Sequence, residues 1–198
     1  MNQAREEGDH LIPPGALRPW QRDAAWRLTQ APYLLLGAQP GAGKTITTLT
    51  ALADAPKRTL LVAPEVILDT VWSQEAARWQ HTAHLRFAMA HTLSGHKREA
   101  TWFSKMGDLV TCTPDTLVRF LEAVFKYERL PVARLVIDES QLFKNPAATR
   151  TQALLALSEH LPTWLLSGTP TTFITGASGT LLRSMSIGGL QGMQALKR

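Results

Sequence analysis

The stretch Gly37-Ala38-Gln39-Pro40-Gly41-Ala42-Gly43-Lys44-Thr45 limits the possible folds more than any other feature of the chain. An apolar run, Tyr33-Leu34-Leu35-Leu36, leads into it, and Ile46-Thr47-Thr48-Leu49-Thr50-Ala51-Leu52 follows as a plausible helix. Strand, glycine loop and helix in that order form the context in which such a loop cradles phosphate. Gly41 and Gly43, with Ala42 between them, let backbone N–H groups turn inward around phosphate oxygens, and the helix start adds its positive dipole end. Lys44 places a point charge on the terminal phosphates, and the Thr45 hydroxyl can hold magnesium. The pattern specifies a nucleoside triphosphate site, with Ala38 at the position where glycine is commoner.

A phosphate loop of this kind needs a parallel sheet around it. Further short apolar runs occur at Thr59-Leu60-Leu61-Val62, Leu85-Arg86-Phe87-Ala88, Leu109-Val110-Thr111-Cys112, Leu135-Val136-Ile137 and Thr163-Trp164-Leu165-Leu166. Most are continuously hydrophobic rather than alternating, as strands covered on both faces are. Helices must then fill the crossovers. Leu68, Val71, Trp72, Ala76 and Trp79 fall on one helical face, which predicts a core-facing crossover helix in which the two tryptophans pack. Thr113-Pro114 has the form of a helix start leading into Leu117-Val118-Arg119-Phe120-Leu121. The expected fold is α/β: a three-layer P-loop NTPase domain with a mainly parallel central sheet. With 198 residues, 44% of them hydrophobic and 19% charged, the chain has a globular balance that excludes wholesale disorder.

Asp138 and Glu139 end the apolar strand Leu135-Val136-Ile137, the place where open parallel sheets bind ligands. An acidic pair after a strand is often only a loop entry or helix cap. Beside a phosphate loop it has a second use. Asp138 can hold magnesium or its water, while Glu139 can orient and deprotonate the water that attacks the γ-phosphate.

The formal net charge of +5 suits a polyanionic partner, although solubility alone would also account for it. Cys112 is the sole cysteine, which rules out an intramolecular disulfide and a cysteine-rich zinc site and fits a reducing, cytoplasmic setting. The first ten residues are polar, and no apolar run approaches the ~20 residues of a membrane span. No membrane association is expected.

Five ordered segments resemble the first RecA-like lobe of superfamily 2 helicases and translocases, nearest the Swi/Snf-like and DEAD/DEAH-box branches. They are Leu17-Arg18-Pro19-Trp20-Gln21, the loop from Ala38 to Thr45, Leu61-Val62-Ala63-Pro64 with Val71-Trp72 and Trp79, Asp138-Glu139-Ser140-Gln141, and Ser167-Gly168-Thr169-Pro170. Asp138 to Pro146, with its Lys144-Asn145 pair, is especially similar to the Swi/Snf type. The resemblance implies that Gln21 reads adenine, that Lys44, Thr45, Asp138 and Glu139 serve ATP and magnesium, and that Ser167 and Thr169 relay nucleotide state to nucleic acid. Gln141 stands where many members have histidine, and as a neutral amide it can still hydrogen-bond towards Ser167. Pro64, Thr113 and Lys144 are candidates for phosphate-backbone contacts, with helix capping for Thr113 and solvation for Lys144 as the structural alternatives. His96-Lys97-Arg98 reads better as a solvated face.

These readings divide the chain into an N-terminal extension (1–16), an ATP-binding lobe (17–170) and an acid-free, glycine-rich tail (171–198). Members of the family hydrolyse ATP between two lobes, so the resemblance implies slow turnover without a second RecA-like lobe, which another chain could supply. A truncated gene product, a split motor and a non-motor nucleotide-binding module are the readings left open. The Swi/Snf likeness favours duplex DNA as the partner.

Overall fold

The computed structural model describes residues 11–168. Most of the 1–16 extension, Thr169 and Pro170, and the 171–198 tail lie outside the described residues. Six strands form one wholly parallel sheet: β1 (Tyr33–Gly37), β2 (Thr59–Val62), β3 (Phe87–Ala88), β4 (Leu109–Cys112), β5 (Arg134–Ile137) and β6 (Thr163–Ser167). Their order across the sheet is β1-β6-β5-β2-β4-β3. Every apolar run expected to be a strand contributes one, but β3 is shorter than its run. There the Arg86 N–H donates to the Asp108 carboxylate at 3.0 Å, and the Arg86 guanidinium closes on the same side chain. A side chain thus occupies the place of a neighbouring strand's carbonyl.

The helices are α1 (Pro19–Gln30), α2 (Lys44–Asp54), α3 (Glu65–Ile67), α4 (Ser73–Arg78), α5 (Gly95–Phe103), α6 (Leu117–Lys126) and α7 (Thr149–Ser158). Strand residues alternate between two cores, as the period of two requires. Leu135, Ile137 and Leu165 join Trp102, Phe120, Leu154 and Leu157 in one. Val136, Trp164 and Leu166 join Leu28, Leu49, Leu68 and Trp72 in the other. Helices therefore cover both faces, and the expected three layers are present.

Two local details depart from or refine the expectations. Between α3 and α4, Leu68–Trp72 forms a π turn rather than regular α-helix. The wider turn keeps Leu68, Trp72, Ala76 and Trp79 buried but swings Val71 off that face, leaving it 38% exposed, so its expected core position is corrected. Before α6, residues Pro114–Thr116 form a 3₁₀ turn. The Thr113 N–H donates to the Thr116 hydroxyl at 3.1 Å, and the two hydroxyls lie 2.9 Å apart. Thr113 thus starts the helix as its sequence position suggests.

Candidate ATP site

Because β6 lies between β1 and β5, three segments far apart in sequence meet at the carboxyl edge of the sheet. Parallel strands all end on the same side, so loops after adjacent strands are neighbours. The phosphate loop leaves β1, the acidic pair leaves β5, and Ser167 ends β6.

The loop is tied to its neighbour by the Ala38 N–H, which donates to the Ser167 carbonyl at 3.1 Å. Gly41 and Gly43 have φ of +75° and +93°, in the left-handed region that an L side chain disfavours. At Gly43 the constraint is double, since a Cβ there would lie 2.3 Å from Gln21 Nε2. Gln21 is buried against the loop, its Nε2 donating to the Ala42 carbonyl at 3.1 Å and its Oε1 accepting the Arg18 N–H at 2.8 Å. The Lys44 ammonium donates to the Ala38 and Gln39 carbonyls at 2.9 and 3.3 Å. Thr45, half-buried, lies in the first turn of α2.

Asp138 is 6% exposed at the end of β5. Its Oδ1 accepts the Glu139 N–H at 2.9 Å, and its Oδ2 accepts the indole N–H of Trp72 at 3.0 Å. Burial pushes its pKa up, while these two hydrogen bonds and the Lys44 charge pull the other way. Glu139 sits at φ +48°, an uncommon left-handed conformation for a side-chain-bearing residue. Gln141 joins the acids to β6: its Nε2 donates to Glu139 Oε2, and its Oε1 accepts the Ser167 hydroxyl at 3.1 Å. The Ser140 hydroxyl donates to the Leu166 carbonyl at 2.9 Å. A Cβ at Gly168 would come 3.3 Å from Pro40 and 3.9 Å from Lys44 Nζ, which sets the end of β6 against the phosphate loop.

Gln21, Ala42, Gly43, Lys44, Asp138, Glu139, Gln141 and Ser167 are thus linked in one neighbourhood. Pro64 and Thr113 follow β2 and β4 at the same edge, and Lys144 follows the 3₁₀ turn after β5, its N–H donating to the Gln141 carbonyl at 3.2 Å. Pro64 and Thr113 are half-buried, and Lys144 is exposed. Sequence reasoning missed Trp72 as a site neighbour. It was legible as a core residue and as part of a segment that resembles the family, but not as a partner of Asp138, which lies 66 positions away.

Among the described residues, no group of three or more His, Cys, Asp and Glu side chains could hold a metal alone. Magnesium bound with a nucleotide needs less than that, one or two protein oxygens beside the phosphates. The Asp138 carboxylate and the Thr45 hydroxyl are hard oxygen donors of that kind, so the residues present fit this ion.

A parallel α/β sheet carrying a phosphate loop, an acidic pair and a serine on adjacent strand ends defines a RecA-like ATPase lobe. The chain belongs to the SNF2-related domain family, whose match spans residues 22–185, and it is a Swi/Snf-type lobe. A search of solved structures finds the SWI2/SNF2 ATPase core of Sulfolobus solfataricus in complex with dsDNA, with a TM-score of 0.59 and 22% identity. That likeness covers 91% of this chain and 42% of the archaeal one. A protein designated p41 from Acyrthosiphon pisum secondary endosymbiont phage 1 is 27% identical over 165 residues, covering 77% of this chain and 35% of p41. The chain thus spans well under half the length of either relative.

Proposed function

We propose that this lobe binds ATP with magnesium and hydrolyses it to ADP and phosphate in a DNA-dependent motor that remodels duplex DNA. The convergence of Lys44, Asp138, Glu139 and Ser167 at one sheet edge carries this reading. The loop N–H groups and the start of α2 receive the phosphates. Lys44 exchanges the Ala38 and Gln39 carbonyls for phosphate oxygens, a stronger charge-assisted pairing. Gln21 braces the loop through Ala42, and its remaining N–H and lone pair are left for an adenine edge.

Thr45 and Asp138 are the residues that would hold magnesium, which when bound neutralises charge on the phosphates. Glu139 takes the proton of the attacking water as its oxygen bonds to the γ-phosphorus and the bond to ADP breaks. The Gln141 amide links Glu139 to Ser167, so a change in how Glu139 is held reaches β6 and the coupling segment that includes Thr169.

The DNA partner is inferred from family membership and from the archaeal neighbour, whose core was solved with dsDNA. Pro64, Thr113 and Lys144, in the segments that follow β2, β4 and β5, are the proposed phosphate-backbone contacts. A second RecA-like lobe supplies an arginine to the γ-phosphate; such arginines are worth about 10³–10⁵ in rate in related phosphoryl transfer. No helix among the described residues is long and apolar enough to cross a membrane. The cytoplasm is the compartment we propose, with the Cys112 thiol buried.

Steady-state ATPase measured with and without duplex DNA, with Lys44→Ala as control, tests the proposal. Turnover that DNA stimulates and the substitution abolishes is expected. ATP binding without turnover, alone or with a second lobe added, would make the chain a nucleotide-binding module instead.

A further inference from the structure

Four tryptophans are buried in the described residues, and their indole N–H groups divide into two kinds. Trp102 and Trp164 donate to backbone carbonyls, of Thr111 at 3.3 Å and Ala31 at 3.2 Å. Trp79, just past the end of α4, donates to Glu75 of that helix at 3.0 Å. These bonds satisfy a buried donor and tie neighbouring segments together. Trp72 alone among the four donates to a residue of the ATP site, Asp138 Oδ2.

We propose that Trp72 is a positioning residue for Asp138, setting the orientation in which that carboxylate meets the magnesium of bound ATP; this rests on the reading of Asp138 as a magnesium ligand. A carboxylate on a strand end can rotate about its last bond. Asp138 is held at both oxygens, by its neighbour's N–H on Oδ1 and by Trp72 on Oδ2. The indole itself is fully buried and packed in the core with Leu68 and Ala76. Each oxygen keeps a lone pair, and with rotation blocked those lone pairs have fixed directions. The π turn at Leu68–Trp72 belongs to this arrangement, since it sets the rotation of the helix at the residue that reaches Asp138. Groups that hydrogen-bond metal ligands in this way commonly change metal affinity by 10–100-fold when removed.

The test is ATP affinity of the full chain by calorimetry, in excess magnesium and in EDTA, for wild type, Trp72→Phe, Trp79→Phe and Asp138→Asn. Trp72→Phe is expected to lose about tenfold of the affinity that magnesium adds, with affinity in EDTA unchanged. Trp79→Phe, which removes another buried indole a few residues further along, is expected to keep that increment. An undiminished increment in Trp72→Phe, or an equal loss with and without magnesium, overturns the proposal. Should Asp138→Asn keep the increment, the reading of Asp138 as ligand falls and this inference with it. Loss of the increment in Asp138→Asn but not in Trp72→Phe overturns the inference alone. If Trp72→Phe does not fold, benzothienylalanine at position 72 keeps the ring's shape without the N–H and is read by the same criteria.

Discussion

Strand β5 carries a buried charge at each end, and the two are handled differently. Arg134 opens the strand at 3% exposed, and Asp138 follows its last residue at 6%. A tryptophan meets each one. The Arg134 guanidinium lies 4.1 Å from the centroid of the Trp164 ring, and its Nη2 donates to the Ala55 carbonyl at 3.0 Å. Asp138 meets the edge of Trp72 through a hydrogen bond. Burial lowers the Arg134 pKa to about 10, still far above neutrality, so the cation persists inside the sheet. A guanidinium has no lone pair to offer, and held by a ring face and a carbonyl it can only bind the sheet to its surroundings. The carboxylate keeps lone pairs free after both its bonds are made. Equal burial therefore yields a structural charge at one end and a reactive one at the other.

The largest expected separation between the ends is catalytic. Asp138→Asn should lower ATP turnover at least ~10²-fold, whereas Arg134→Ala should leave the turnover of the folded protein near wild type, read in one steady-state assay. Next comes stability in urea. Arg134→Ala removes the ring contact, the bond to Ala55 and the packing of a long side chain, and should cost about 2–3 kcal/mol, while Asp138→Asn should cost little. Gly43→Ala tests whether the functional edge tolerates ordinary backbone. With φ at +93° and Gln21 in the way, it should lose about 1–2 kcal/mol of stability and about tenfold in ATP affinity, measured by melting and by calorimetry.

The smallest effect is in pH. The native Asp138 carboxyl has a pKa raised above 3.8 by burial, so it holds its proton more tightly folded than unfolded. Its stabilising contribution is complete below the unfolded value and disappears as pH rises through the folded one. Asparagine carries no such dependence. Asp138→Asn should therefore gain stability relative to wild type as pH rises from the acid side through that window, and urea midpoints across pH measure the gain.

The strands were legible because strands covered on both sides are written as short apolar runs, and Leu135 to Ile137 is one without interruption. The phosphate loop was legible because its chemistry needs glycines and a lysine in a fixed local order. Gln21 was placed in the site by resemblance, but its bond to the Ala42 carbonyl had no local signature. The same holds for Trp72, whose apolar spacing with Leu68 and Ala76 describes the buried face but not the acid its N–H reaches. Val71 was misplaced because a regular period assumes a regular helix, and the π turn adds a residue to one turn. The Glu139 backbone is set by the link from Gln141 to Ser167 and by the Ser140 bond to Leu166, contacts that exist only once β6 lies beside β5.

That position of β6 also sets a timetable. Among the described residues, strand β1, which bears the phosphate loop, is paired with β6 and with no other strand, while β6 is the last of the six along the chain. During synthesis β2 and β3 can align once β4 emerges and β5 can then join β2, but β1 has no strand partner among the described residues until residues 163–167 leave the ribosome. The loop and the acids are then brought together in a single late event, so a nascent chain acquires its nucleotide site all at once, after most of its sheet already exists.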